Sequence, residues 1–263
     1  MKKITIPTLL LCSLAAAQAQ TTITGWTFDN LAIGSVANPA PSTGSGLATA
    51  LGFSNSYNGT NSISNPDVAS ASGSSSGGPL AWRVRGAGAA PNGGNGWSSQ
   101  APIGTQGAEF DASTAGFNSI QISFDVDTTA QAERNLQLEY TLDGSTWLNA
   151  TLTSAGNLGT LATGSTANTV SGSYVQLGSG WNNGITATIA GAQDDSNFGI
   201  RIVNASTGID DVNVSGAALN NTSGNWRFDN VVIAGTVDAV PEPTTLALAG
   251  ISLVGLLAFR KRS

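Results

Sequence analysis

Residues 120–127 alternate without a break. Ile120, Ile122, Phe124 and Val126 are apolar, and Gln121, Ser123, Asp125 and Asp127 between and after them are polar. A period of two puts each set on its own face of a strand, so this segment predicts a β-strand buried on one side only. The pattern returns at Leu136, Leu138, Tyr140 and Leu142. Asp143-Gly144 then supplies a tight turn before Trp147, which predicts a hairpin across LEYTLDGSTW. Phe198 to Val203 predicts a further strand with Ile200 and Ile202 inward and Arg201 outward. Shorter patterns at Tyr174–Leu177 and Ile185–Ile189 predict two more. Helical periodicity is almost absent between the two ends of the chain, so the body is expected to be all-β.

Such a body has to be stable on packing alone. Cys12 is the only cysteine and it falls in the N-terminal leader. Roughly 220 residues from Gln20 to Val240 suffice for one large β domain. Trp26, Trp147 and Trp226 lie in or beside predicted strands and are expected in the core. Trp82, Trp97 and Trp181 sit beside Gly- or Asn-rich loops, where both packing under the loop and stacking on a sugar ring are open to them. Trp26-Thr27-Phe28-Asp29-Asn30 is echoed by Trp226-Arg227-Phe228-Asp229-Asn230. Two such strands at opposite ends of a domain would pair or face each other, bringing the termini together. Pro39–Gly46, Gly73–Gly78 and Gly86–Gly96 read as loops. Residues 20–108 are therefore expected to be loop-rich, with the regular core in 109–236.

Charge and residue usage exclude several functions. The body between the two ends has five arginines, no lysine and fifteen acidic residues, a net charge of roughly −10. Nucleic acid and anionic membrane are poor partners for it. There is no histidine anywhere. Ser-His-Asp, Cys-His and Ser-Lys catalysis are removed, as is His-ligated zinc. A pair of carboxylates hydrolysing a glycoside is still open, but no signature singles out a pair, and no enzyme is expected. Glu139 is expected to face solvent. Asp194-Asp195 and Asp210-Asp211 are clustered, loop-like carboxylates and candidates for a structural calcium; solvated turns are the alternative. No other cofactor is implied.

The two ends carry addresses. Lys2 and Lys3, the apolar run Ile4–Ala17 and Ala17-Gln18-Ala19 form a secretory signal peptide over residues 1–19, with cleavage leaving Gln20 first. At the other end, Val240-Pro241-Glu242-Pro243 cannot continue a helix. Thr244–Phe259 is uncharged and apolar, and Arg260-Lys261-Arg262 is a basic stop. Sixteen helical residues span roughly 24 Å, short of a roughly 30 Å hydrocarbon core, and the positive end predicts a cytoplasmic C-terminus.

This order of tetrapeptide, apolar span and basic end over 237–263 resembles the PEP-CTERM sorting signal of Gram-negative bacteria that make exopolysaccharide. The resemblance implies export through signal peptidase and temporary anchoring in the inner membrane. Exosortase would then cut near Pro241–Pro243, releasing the chain to the cell surface or extracellular matrix. The segments Gly96-Trp97, AEFDASTAGFNSIQISFDV, LQLEYTLDGSTW, NFGIRIV and NWRFDNVVIAG are also similar in order to an ectodomain common in that class. That implies a jelly-roll-like antiparallel β-sandwich over 20–236, flanked by a signal helix and a short transmembrane helix. The expected role is a non-catalytic structural or adhesive component of the exopolysaccharide matrix. A carbohydrate-binding module and a carboxylate-only glycoside hydrolase are the alternatives.

Overall fold

The computed structural model describes residues 19–52, 66–85, 96–99, 101–157, 159, 174–206, 211–219 and 224–238. All their helix-or-strand structure is strand. In chain order the strands are β1 (Thr21–Trp26), β2 (Gly34–Ser35), β3 (Leu47–Leu51), β4 (Asp67–Ser70), β5 (Leu80–Val84), β6 (Gly107–Asp111), β7 (Phe117–Thr128), β8 (Asn135–Thr141), β9 (Leu148–Asn149), β10 (Leu152–Ser154), β11 (Tyr174–Gln176), β12 (Gly180–Thr188), β13 (Gly199–Asn204) and β14 (Trp226–Val237).

They form two antiparallel sheets. The larger runs β10-β12-β7-β14-β5-β4-β2, with β1 also beside β14. β14 is long enough to take two partners on one edge: β5 pairs with Trp226–Phe228 and β1 with Val231–Gly235. The smaller sheet runs β11-β8-β13-β6-β3, with β9 beside β8. Among the described strands only β4–β5 and β8–β9 pair with their immediate successor. From β5 onward the chain shuttles between sheets, so most pairing is remote in sequence, a topology that folds slowly.

The inner faces meet in one aromatic chain, which makes the two sheets a sandwich. Trp97 lies 4.3 Å from Trp226, Trp226 6.2 Å from Phe228, Phe228 6.0 Å from Phe110, and Phe110 5.1 Å from Trp26. Phe110 belongs to the smaller sheet and Trp26, Trp226 and Phe228 to the larger. Three of the buried indoles also satisfy their N–H. Trp82 Nε1 donates to Val36 O at 2.9 Å, Trp226 Nε1 to Glu133 O at 2.9 Å and Trp26 Nε1 to Pro39 O at 3.3 Å.

Several expectations hold. Ile120, Ile122, Phe124 and Val126 face the core, the 136–149 hairpin forms as β8–β9, and the two echoed strands pair, with Trp26 opposite Val231. The loop-rich stretch 20–108 nonetheless supplies β1 to β5 and the four largest buried side chains of that half, Trp26, Phe28, Trp82 and Trp97. Other expectations are corrected. Asp125 and Asp127 are buried rather than wet, because the 71–79 loop and Arg227 cover them. Glu139 is half-buried rather than solvent-facing, and Trp147 is half-buried rather than in the core. The signal and transmembrane helices fall on residues outside those described. No helix among the described residues is long and apolar enough to cross a membrane.

Candidate functional site

Alternation along the smaller sheet sends every second side chain away from the core, and the strand register lines these up. Thr49, Glu109, Arg201, Glu139 and Asn149 form one row across β3, β6, β13, β8 and β9. Arg201 Nε donates to Glu109 Oε2 at 2.6 Å. Its guanidinium also lies 3.8 Å from the centre of the Trp147 ring, a cation–π contact. Trp147 follows a turn fixed by Asp143, whose Oδ1 accepts the Thr146 and Ser145 backbone N–H groups at 2.6 and 2.8 Å. Those bonds hold the Asp143 carboxyl well below the usual range. Gly199 makes room for the ring: a Cβ there would stand 2.3 Å from Asp111 Oδ1 and 3.3 Å from Trp147.

A cleft of about 270 Å³ opens at this end of the sheet, lined by Glu109, Asp111, Ser113, Gly144, Asn197 and Phe198 among others. Burial, followed by the charge of Glu109 and a hydrogen bond to it, pushes the Asp111 carboxyl up to about 7, with Arg201 opposing. Burial also raises Glu139, against Arg201 and Gln137. Near neutral pH the face thus presents the Asp111 carboxyl, able to donate and accept, with a guanidinium and an indole beside it. These are groups that meet the hydroxyls and the apolar ring faces of a sugar.

The three loop-side tryptophans, open to packing or to sugar stacking, are placed differently. Trp82 lies in β5 and Trp97 packs against Trp226; both are fully buried, which removes them as stacking platforms. Both sit beside Gly-rich segments in the sequence, and LAWRV is too short for its alternation to stand out. Trp181 is half-buried in β12, and its Nε1 already donates to Ser72 O at 2.9 Å. Gly73, at φ +120°, lets the 71–79 loop lie on that ring, since a Cβ would stand 2.6 Å from it. The signal that would have found Trp147 instead is its place right after an Asp-Gly turn, opposite an outward arginine.

The larger sheet carries its own outer row: Asp67, Arg83, Arg227, Asp127 and Trp181. Arg227 Nη1 donates to Asp127 Oδ2 at 2.9 Å, and burial outweighs that arginine in raising the Asp127 carboxyl. Beside the row, Asp125 accepts from Gly184 N, Ser75 N, Ser75 Oγ and Asn230 Nδ2 at 2.5–2.8 Å. Its neighbour Asp229 is fully buried, and its Oδ2 has no hydrogen-bond donor. Burial first, with Asp29 and Asp125 adding, pushes Asp229 up to about 6 against Ser74 and the Asn230 amide. Below about pH 4 this carboxyl is protonated folded or unfolded; from about 4 to 6 only the folded chain keeps its proton, so ionisation penalises folding increasingly. Stability should therefore fall as pH rises through that window. Asp229→Asn should flatten the slope and melt higher than wild type at pH 7, as a pH series of thermal melts would read.

The calcium candidates do not act together. Asp194 Oδ1 accepts from Gly116 N at 2.9 Å and Asp195 Oδ1 from Asn197 N at 2.7 Å, both as turn residues. Asp211 is buried elsewhere, next to Glu133 and Ser206. Asp210 lies outside the described residues. Burial, then the hydrogen bond with Asp211, pushes Glu133 up to about 9. Among the described residues, no three acidic, cysteine or histidine side chains form a metal-binding group.

Both ends of the body are pinned at one pole. Gln20 Nε2 donates to Ser119 O at 2.9 Å, Asp238 N to Gly116 O at 2.9 Å, and Asn118 Nδ2 to Asp238 Oδ1 at 2.7 Å. Ala17 of the signal cleavage site and Val240, Pro241, Glu242, Pro243, Arg260, Lys261 and Arg262 lie outside the described residues; Ala19 lies just inside them. Residues 239–263 match the family described as the PEP-CTERM protein-sorting motif. No curated protein and no solved structure matches the chain.

Proposed function

We propose that this chain, whose residues 239–263 match the PEP-CTERM protein-sorting motif, is exported and anchored at the membrane for exosortase processing, and that its β-sandwich is a non-catalytic adhesive component of an exopolysaccharide matrix. In this reading the sandwich is jelly-roll-like, and signal peptidase removes residues 1–19. The processed protein ends at the cell surface or in the matrix. Polymer is held on the outer face of the smaller sheet. The observation that carries the reading is the half-exposed Trp147 stacked on Arg201, the middle residue of a polar row beside a cleft of about 270 Å³. A hydrophobic ring with a carboxyl pair next to it suits a neutral, hydroxyl-rich chain better than an anionic one. Retention on many weak sites along a polymer multiplies modest affinity.

A hydrolase using carboxylates alone is the weaker reading. Glu109 and Asp111 are in hydrogen-bond contact, closer than the roughly 5–5.5 Å or 6.5–9.5 Å separations of retaining and inverting glycosidases. The test is a polysaccharide pull-down with the mature chain, residues 20–240. Saturable retention should fall about tenfold or more in Trp147→Ala and in Arg201→Ala, while Trp181→Ala leaves it unchanged. Retention unaffected by the first two variants would sink the assignment to this face.

A further inference from the structure

Antiparallel pairing decides which strand ends meet. β14 runs against both β1 and β7, so its last residues lie beside their first: Gly235 is opposite Thr21 and Val237 opposite Phe117. In the smaller sheet the ends of β6 and β8 both lie beside the start of β13, with Asp111 and Thr141 opposite Gly199. The turn after β6 ties these two sets of ends into one pole. Thr114 N donates to Asp195 O at 2.7 Å, Thr114 Oγ1 to Ala192 O at 2.5 Å and Asp194 N to Phe117 O at 2.9 Å. Gly116 N donates to Asp194 Oδ1, and Gly116 O accepts from Asp238 N, each at 2.9 Å. The cleft of the smaller sheet opens at this same pole. Ser113, Gly144 and Asn197 line it, and Trp147 follows the Asp143-Gly144 turn. Ser113 is only three residues from Gly116, a reach of at most about 10 Å. The chain thus leaves for its tail right beside the cleft.

We propose that anchoring by the tail masks this cleft against the membrane, and that removal of the tail exposes it. The inference rests on the tail-anchored reading above and adds a regulation to it. Length sets the mask. Asp238 is held to the body by its own N–H and by its carboxylate, which accepts from Asn118 Nδ2 at 2.7 Å. Asn118 Oδ1 also accepts from Thr236 Oγ1 at 2.8 Å. Six residue steps lead from Asp238 to Thr244, where the uncharged apolar stretch begins, and they reach at most about 20 Å. About 5–8 Å of that crosses the headgroup layer. The pole therefore stands within about 15 Å of the headgroups, a gap that admits small solutes and turns away a large hydrated polymer. Pro241 and Pro243 stiffen the link, so the body does not swing the cleft far aside. A chain still in the inner membrane would not adhere; the same chain cut free would.

The exported chain, residues 20–263, has no cysteine, so a single one reports on access wherever it is placed. Asn197→Cys marks the cleft. Ala130→Cys, in the turn between β7 and β8, marks the opposite pole; both residues are exposed. Each variant is set in nanodiscs of phosphatidylethanolamine and phosphatidylglycerol. The tail is either native or lengthened by about thirty Gly/Ser residues after Ala239, a coil of about 30 Å. N-ethylmaleimide, a small reagent, should label all four chains alike. A maleimide carried on a long polyethylene glycol should label Asn197→Cys about tenfold or more slowly with the native tail than with the lengthened one. It should label Ala130→Cys equally with both. Labelling reads access without any glycan, so the mask stands or falls separately from adhesion. Equal polyethylene glycol rates at Asn197→Cys, or the same slowing at Ala130→Cys, would overturn the mask. A chain that does not enter nanodiscs would overturn the anchoring itself, and the mask with it.

Discussion

Trp82→Ala should lower the melting temperature of the exported domain by about 10–15 °C. The side chain is fully buried. Its ring lies 6.0 Å from Phe28, 6.0 Å from Phe110 and 6.4 Å from Phe228. It therefore joins β1's end, the smaller sheet and β14 in one place. Truncating a buried tryptophan costs about 3–5 kcal/mol, set against a total of about 5–15 kcal/mol for a typical domain. Val36 O also loses the indole donor. Trp82→Phe keeps much of the packing and loses only that bond and some volume, so its Tm should fall less than half as far. Thermal and urea melts of both variants check the order. Equal losses would mean the hydrogen bond, not the packing, dominates.

Arg83→Met should destabilise the domain by about 3–5 kcal/mol. Arg83 Nε donates to Asp67 Oδ1 at 2.8 Å and Nη2 to Asp67 Oδ2 at 2.5 Å, and Asp67 has no exposed surface. The methionine fills the stem's space but leaves a buried carboxylate without its counter-charge. That uncompensated charge is the main cost, not the lost attraction. Adding Asp67→Val should therefore recover most of the stability, as urea titrations of the single and double variants would show. A double variant as weak as the single one would show that the pair's geometry, rather than its charge balance, is what the sheet needs.

What could be read from the chain was local. The inward faces of β7, β8 and β13 follow from alternation that lies within seven or eight residues. The echo of WTFDN in WRFDN pointed to β1 and β14, which do pair, but through Thr21–Trp26 and Val231–Gly235 rather than through the echoed residues themselves. What stayed hidden depends on segments far apart in sequence. Asp125 is dry because Ser75, fifty residues earlier, lies over it. The row Glu109–Arg201–Glu139 exists only through register between strands about sixty to ninety residues apart. Trp82 and Trp147 take their places for the same reason. A glycine-rich neighbourhood left packing and stacking both open for Trp82, and β4 and β14 enclose it on both sides. A strand-like neighbourhood suggested burial for Trp147, yet its ring lies on the outer face of the smaller sheet, over Arg201 of β13. Glu133 and Asp211 carry no shared motif and meet only because two loops are sewn together.

The position of β14 also determines how the domain would carry a mechanical load. Its twelve residues lie between β7 on one edge and β5 and β1 on the other, and the chain leaves for its tail directly from Val237. A pull on the tail, with the body held elsewhere, acts along the strand's own axis. Hydrogen bonds to three neighbouring strands are then sheared together rather than unzipped one after another. A sandwich of this connectivity, loaded through its C-terminal end, resists with its whole central strand.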